Sequence, residues 1–215
     1  MKTIFTALLL LFCSVASVAS VALSQQTSQQ TAQQTAQQTA FESVQESTDI
    51  LLKRLVEVKP IHESDPELFF SEVDEALSPY IDFEGFAKRV MAKHWRKATP
   101  AQRGAFVERF RSGLIKTYAS ALLEFDNQRV DVLEPNSPQD VDRAVVEISI
   151  HANSGAIYPV HYQLELIDGH WLLRNVLING INMGLQFRTQ FNASTQKYRG
   201  NVDQVIENWS VDAEG

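Results

Sequence analysis

The feature that most constrains this 215-residue chain is a change in the spacing of its apolar residues. From Phe41 to Phe125 they recur three or four positions apart, whereas from about residue 128 to 180 they recur at every second position. A helix brings residues i, i+3 and i+4 to one face, and a strand alternates its faces. The first half must therefore build amphipathic helices and the second a half-buried sheet. Strands that follow one another without intervening helices pair antiparallel, so the fold class is α+β, with an antiparallel sheet of about four strands packed against helices.

The punctuation agrees with that division. Phe41, Val44, Thr48, Leu51, Leu52 and Leu55 share one helical face, and Pro60 ends the run. Asp65 before Pro66 reads as a helix start, with Leu68, Phe69, Val73, Ala76 and Leu77 as its buried stripe. A short helix is expected over 82–93, burying Phe83, Phe86, Val90 and Met91. Thr99, Pro100 and Gln102 form a capping box before a long helix whose apolar face runs Phe106, Phe110, Leu114, Tyr118, Leu122 and Phe125. Strands are expected around "QRVDVLE", at Ala144, Val146, Ile148 and Ile150, and at Tyr158, Val160, Tyr162, Leu164 and Leu166. Asp168-Gly169 marks a hairpin leading to Trp171, and Asn179-Gly180 ends the last strand. Met183, Phe187 and Phe191, then Val202, Val205, Ile206 and Trp209, return to helical spacing.

Two segments precede this domain. Residues 1–24 carry Lys2, an apolar run from Ile4 to Phe12 and then small residues, the layout of a cleaved secretory signal. The run is shorter than the ~20 residues a membrane span needs. Cleavage after Ala19, Ser20, Ala22 or Ser24 would each fit. Cys13, the single cysteine, follows Phe12 rather than a small residue, which argues against a lipid-modified cysteine. Residues 25–40 repeat a Gln-Gln-Thr tetrapeptide with no charge and nothing large to bury, and read as a flexible tether. The domain proper is expected over 41–210, helical over about 41–127, sheet over about 128–180 and helical again over about 181–210.

Composition excludes some partners. The formal net charge is −7, and loss of the leader with Lys2 makes it one unit more negative. Nucleic acid, which recruits clustered Lys and Arg, is not an expected partner. His62, His94, His151, His161 and His170 show no zinc-ligand spacing, so no metal is expected. His151 and His161 fall on adjacent strands and read as surface histidines of the solvated sheet face. There is no nucleophile elbow and no glycine-rich phosphate loop, and the acidic clusters sit on outward helix faces. An enzyme is not the expected reading. What remains is an unusually apolar and aromatic interior, and spacing alone does not distinguish a filled core from a cavity wall.

The stretch "HWRKATPAQRGAFVERFRSGLIKTYASAL" resembles the periplasmic phospholipid-binding proteins of the MlaC, or toluene-tolerance, family through Trp95, Thr99, Gln102, Phe106, Phe110, Leu114, Tyr118 and Ala119. Tyr162, Trp171, Val176, Gly180, Arg188 and Phe191 follow the order and spacing of a second region of that family. The likeness runs from about Phe41 to Trp209. Asn175, Asn179, Asn182 and Phe187 depart from the pattern, standing where acids, a Ser and a Tyr are expected.

The resemblance implies a periplasmic carrier that takes diacyl phospholipid as cargo, with no cofactor. Its implied partners are an outer-membrane lipoprotein–porin complex and an inner-membrane ABC transporter, between which it would maintain outer-membrane lipid asymmetry. It also implies a twisted sheet and helices around a deep apolar pocket. The expected pocket wall is Phe110, Leu114, Tyr118 and Leu122 on the long helix, with Val146, Ile148, Ile150, Tyr162 and Leu164 on strands. Leu173, Val176, Ile178, Met183, Phe187 and Phe191 complete it, and Arg188 or Tyr158 is expected at the mouth to meet a phosphate. The alternatives are an envelope protein–protein adaptor whose apolar residues only fill a core, and a small isomerase-like enzyme with a buried acid.

Overall fold

A computed structural model describes residues 40–123, 128–136 and 139–211, without the side chain at 121. The leader, residues 25–39 of the tether and Phe125 lie outside the described residues. Ala40, expected as the end of the tether, is instead the first residue of helix α1 (40–58) and is buried against the sheet.

Each following helix starts where a side chain satisfies an otherwise unpaired N–H. Asp65 accepts from the Leu68 amide at the head of α2 (Pro66–Leu77) at 3.0 Å. Asp82 accepts from Gly85 at the head of α3 (Phe83–Met91) at 2.8 Å. Helix α3 ends at Ala92, whose φ of 48° no α-helix accommodates, and residues 92–94 continue as a 3-10 turn rather than the longer helix expected. The Thr99–Gln102 capping box forms in both directions, at 3.0 and 3.2 Å, before α4 (Pro100–Leu122).

Five antiparallel strands follow in sequence order as an open sheet: β1 (Val130–Leu133), β2 (Arg143–His151), β3 (Ile157–Ile167), β4 (His170–Ile178) and β5 (Ile181–Asn182). The four long or medium strands are those expected, and β5 is a two-residue addition. It arises because Asn179 and Gly180 both take positive φ, so the chain reverses and pairs Ile181 with Ile178 instead of merely leaving the sheet. Asp168 and Gly169 make the β3–β4 hairpin in the same way. Asn182 then caps α5 (Met183–Lys197), and Asn201 caps α6 (Val202–Glu207).

The register of β3 against β4 slips once. Gln163 pairs with Asn175 but Leu164 pairs with Leu173, leaving Arg174 as the extra residue of a bulge. Alternation therefore changes parity at Arg174. Trp171 and Leu173 face inward before it, and Val176 and Ile178 after it.

Three apolar clusters fill the interior. Helices α3 to α6 and the tail bury an aromatic group in which Phe106, Phe110, Phe191 and Trp209 meet ring to ring. The inner sheet face packs under the first turns of α1 through Ala40 and Val44. The end of α1, α2 and the flank of α4 bury Leu55, Phe69, Val73, Ile115 and Ala119.

Candidate functional site

The three clusters do not close on one another. Between them lies a cavity of about 340 Å³. The sheet contributes Ile150, Val160, Tyr162, Leu164, Trp171, Leu173, Val176 and Ile178, and α4 contributes Leu114, Ile115, Tyr118, Ala119 and Leu122. Helix α1 presents Ser43, Val44, Ser47, Thr48 and Leu51. Val73, Leu77, Tyr80, Ile81, Phe83 and Phe86 come from the α2–α3 region, and Met183 and Phe187 from α5.

None of these side chains carries a charge. Polarity in the wall is confined to six hydroxyls and the Trp171 indole N–H, which is buried without a hydrogen-bond partner. The Ser47 hydroxyl donates back to the Val44 carbonyl at 3.0 Å, a usual way for a helical Ser to satisfy itself. Burial pushes the Tyr118 and Tyr162 hydroxyls above their ordinary pKa, so both stay neutral at physiological pH. Among the described residues, no three His, Cys, Asp or Glu converge as metal ligands, and no helix is long and apolar enough to cross a membrane.

Of the residues expected in a pocket wall, Leu114, Tyr118, Leu122, Ile150, Tyr162, Leu164, Leu173, Val176, Ile178, Met183 and Phe187 meet at this cavity. Phe110 and Phe191 do not reach it, because they are spent in the aromatic group beside Phe106 and Trp209. Val146 and Ile148 also face inward on β2, but they are sealed in the packed sheet cluster that includes Ala40 and Val44. Tyr158, at the start of β3, is exposed and outside the lining. Arg188 follows Phe187 on α5, and one residue of helix rotates it to the outer side, where its Nε donates to the Arg89 carbonyl at 3.3 Å.

The wall also takes in α1, α2 and α3, beyond the elements expected from the sequence. The signal was present for Val44, Thr48, Leu51, Val73, Leu77, Phe83 and Phe86, each on a stripe of helical spacing, but a stripe does not say what it faces. Tyr80 and Ile81 had no such signal. They reach the cavity because the Ile81 backbone bridges to Leu173 and the Asp82 amide donates to the Leu173 carbonyl at 3.1 Å.

The four departures from the family pattern turn out to hold backbone or fill space. Asn175 is buried, donates to Gln163 and Asn182 at 2.9 and 3.0 Å, and accepts from the Gly184 amide at 2.9 Å. Asn182 is the α5 cap, Asn179 occupies the turn, and Phe187 joins cavity to aromatic core. His151 and His161 lie near carboxylates rather than each other, at 3.0 Å from Asp131 and 3.7 Å from Glu147.

Comparisons with known proteins match this architecture. The family model described as MlaC protein matches residues 45–211. The toluene tolerance protein ttg2D of Pseudomonas putida is 40% identical over 168 residues, 78% of this chain and 78% of that one. The intermembrane phospholipid transport system binding protein MlaC of Haemophilus influenzae is 21% identical over 143 residues, 65% of this chain and 67% of the other. A solved structure of a phospholipid-binding protein from Ralstonia solanacearum, in complex with a phospholipid, aligns with a TM-score of 0.71 at 26% identity, covering 78% of this chain and 93% of that one. The family resemblance and the α+β fold read from the sequence thus both hold, and the chain belongs to the MlaC family.

Proposed function

We propose that this protein is a carrier of diacyl phospholipid, with acyl chains in the cavity and the head group outside it. The observation that carries this reading is the cavity's size combined with its chemistry. About 340 Å³ of space walled by apolar side chains is poorly hydrated, and filling it with acyl chains removes that cost. A wall without ionised groups takes apolar cargo. Exposing one long acyl chain to water costs about 10 kcal/mol, so a carrier must sheath the tails, whereas a solvated head group needs no enclosure. Head-group discrimination is accordingly weak.

The P. putida, H. influenzae and R. solanacearum relatives are named for tolerance, transport and phospholipid binding, which supports a transport role without catalysis. We further propose that residues 1–24 direct export to the periplasm. There the protein would pass lipid between an outer-membrane lipoprotein–porin complex and an inner-membrane ABC transporter.

The test is lipid extraction. Protein stripped of lipid, incubated with phospholipid vesicles and re-isolated, is expected to carry phospholipid. Val176→Trp, which fills the cavity from β4, is expected to lower the amount bound at least about tenfold while the fold persists. Undiminished uptake by a folded Val176→Trp protein would place the lipid elsewhere.

A further inference from the structure

In a chain of net charge −7, arginines gather on one side of the junction between α3, α5 and the sheet. Arg174, the bulged residue of β4, is mostly buried and forms ion pairs with Glu165 at 2.6 Å and Asp82 at 3.0 Å. Arg89 on α3 donates to the same Glu165 oxygen at 3.0 Å and to the Arg174 carbonyl at 3.3 Å. Arg143 stands directly across from Glu165 on β2, and Arg188 donates to the Arg89 carbonyl. The inner pair thus uses both carboxylates. Arg143 and Arg188 are exposed and have no ion pair among the described residues, while the charge of Arg89 is only partly met by the shared Glu165 oxygen. Four guanidinium groups thus stand against the two carboxylates of Glu165 and Asp82.

We propose that Arg89, Arg143 and Arg188 form a docking surface for an acidic segment of a partner protein. The occupant is not the cargo's phosphate, because Glu165 and Arg143 share a sheet face opposite the cavity-lining Tyr162 and Leu164, and no arginine lines the cavity. An extended anionic membrane surface fits poorly as well, since the rest of a strongly acidic protein is repelled by it. A short acidic segment meets the local excess alone. Guanidinium forks on three separate elements can engage successive carboxylates in a fixed arrangement, which fixes register as well as charge. The surface does not depend on what the cavity holds.

The test is titration of the isotope-labelled protein with a synthetic octaglutamate peptide at low salt, followed by backbone amide shifts. Shifts centred on residues 89, 143, 165, 174 and 188 are expected, fading at about 0.5 M salt. The double variant Arg143→Glu/Arg188→Glu is expected to weaken binding at least about tenfold with melting temperature and bound lipid unchanged, and the Lys/Lys variant to bind more nearly as wild type. The proposal fails if the shifts lie elsewhere or if the folded charge-reversal variant binds equally well. It fails too if phosphatidylglycerol vesicles, rather than the peptide, bind in an Arg143- and Arg188-dependent way.

Discussion

Single residues set how closely the elements around Arg174 can approach. Gly85 sits against the Asp82 carboxylate and the Arg174 guanidinium so closely that a Cβ there would collide with both. Gly85→Ala is therefore expected to lower stability by about 1–3 kcal/mol in urea unfolding, through displacement of the Arg174 ion pairs. Tyr162 makes a pH prediction. Its hydroxyl is raised above the ordinary 10.0 by burial, so the unfolded chain ionises first as pH climbs. The neutral hydroxyl leaves stability intact below pH 10.0 and erodes it above, up to the folded-state pKa. Tyr162→Phe is expected to unfold at higher pH than wild type in an alkaline melt, and an unchanged alkaline limit would contradict the burial of that hydroxyl. At this scale the sequence was a good guide to which residues are apolar and inward. It could not separate Leu114, which reaches the cavity, from Phe110 one turn earlier on the same stripe, because the difference is made by Phe187 and Trp209 arriving from distant segments.

Secondary-structure elements were legible wherever the signal was local. The Thr99–Gln102 box and the Asp65 cap follow from side chains within four residues of the backbone groups they serve, and the Asp168-Gly169 turn from the positive φ those residue types tolerate. The β4 bulge was not legible. A strict alternation makes Leu173 and Val176 opposite in facing, and only the extra residue Arg174 returns both to the interior. This gives an asymmetric expectation for deletions. Removing Arg174 restores regular alternation with Leu173, Val176 and Ile178 still inward, so the protein should fold with reduced stability. Removing Leu172 turns Trp171 outward if the bulge is kept, or Leu173 outward and Arg174 inward if it is lost, and should abolish folding. Circular dichroism of the two variants distinguishes them, and equal behaviour would refute the register.

The whole molecule is three apolar clusters arranged so that none can fill the space between them. Helix α1 spans that gap, with Ala40 and Val44 on the sheet and Leu55 and Val58 against α2, and Ser43, Ser47 and Thr48 over the cavity. Such an arrangement is invisible to periodicity, since each stripe reads as core whether its partner is protein or lipid. The central claim is that lipid is the missing partner. Native mass spectrometry of protein purified from cells without added lipid is the direct test. A population heavier than the polypeptide by the mass of a diacyl phospholipid, released as intact lipid on activation, is expected. Protein at bare polypeptide mass that also takes up nothing from phospholipid vesicles would contradict it.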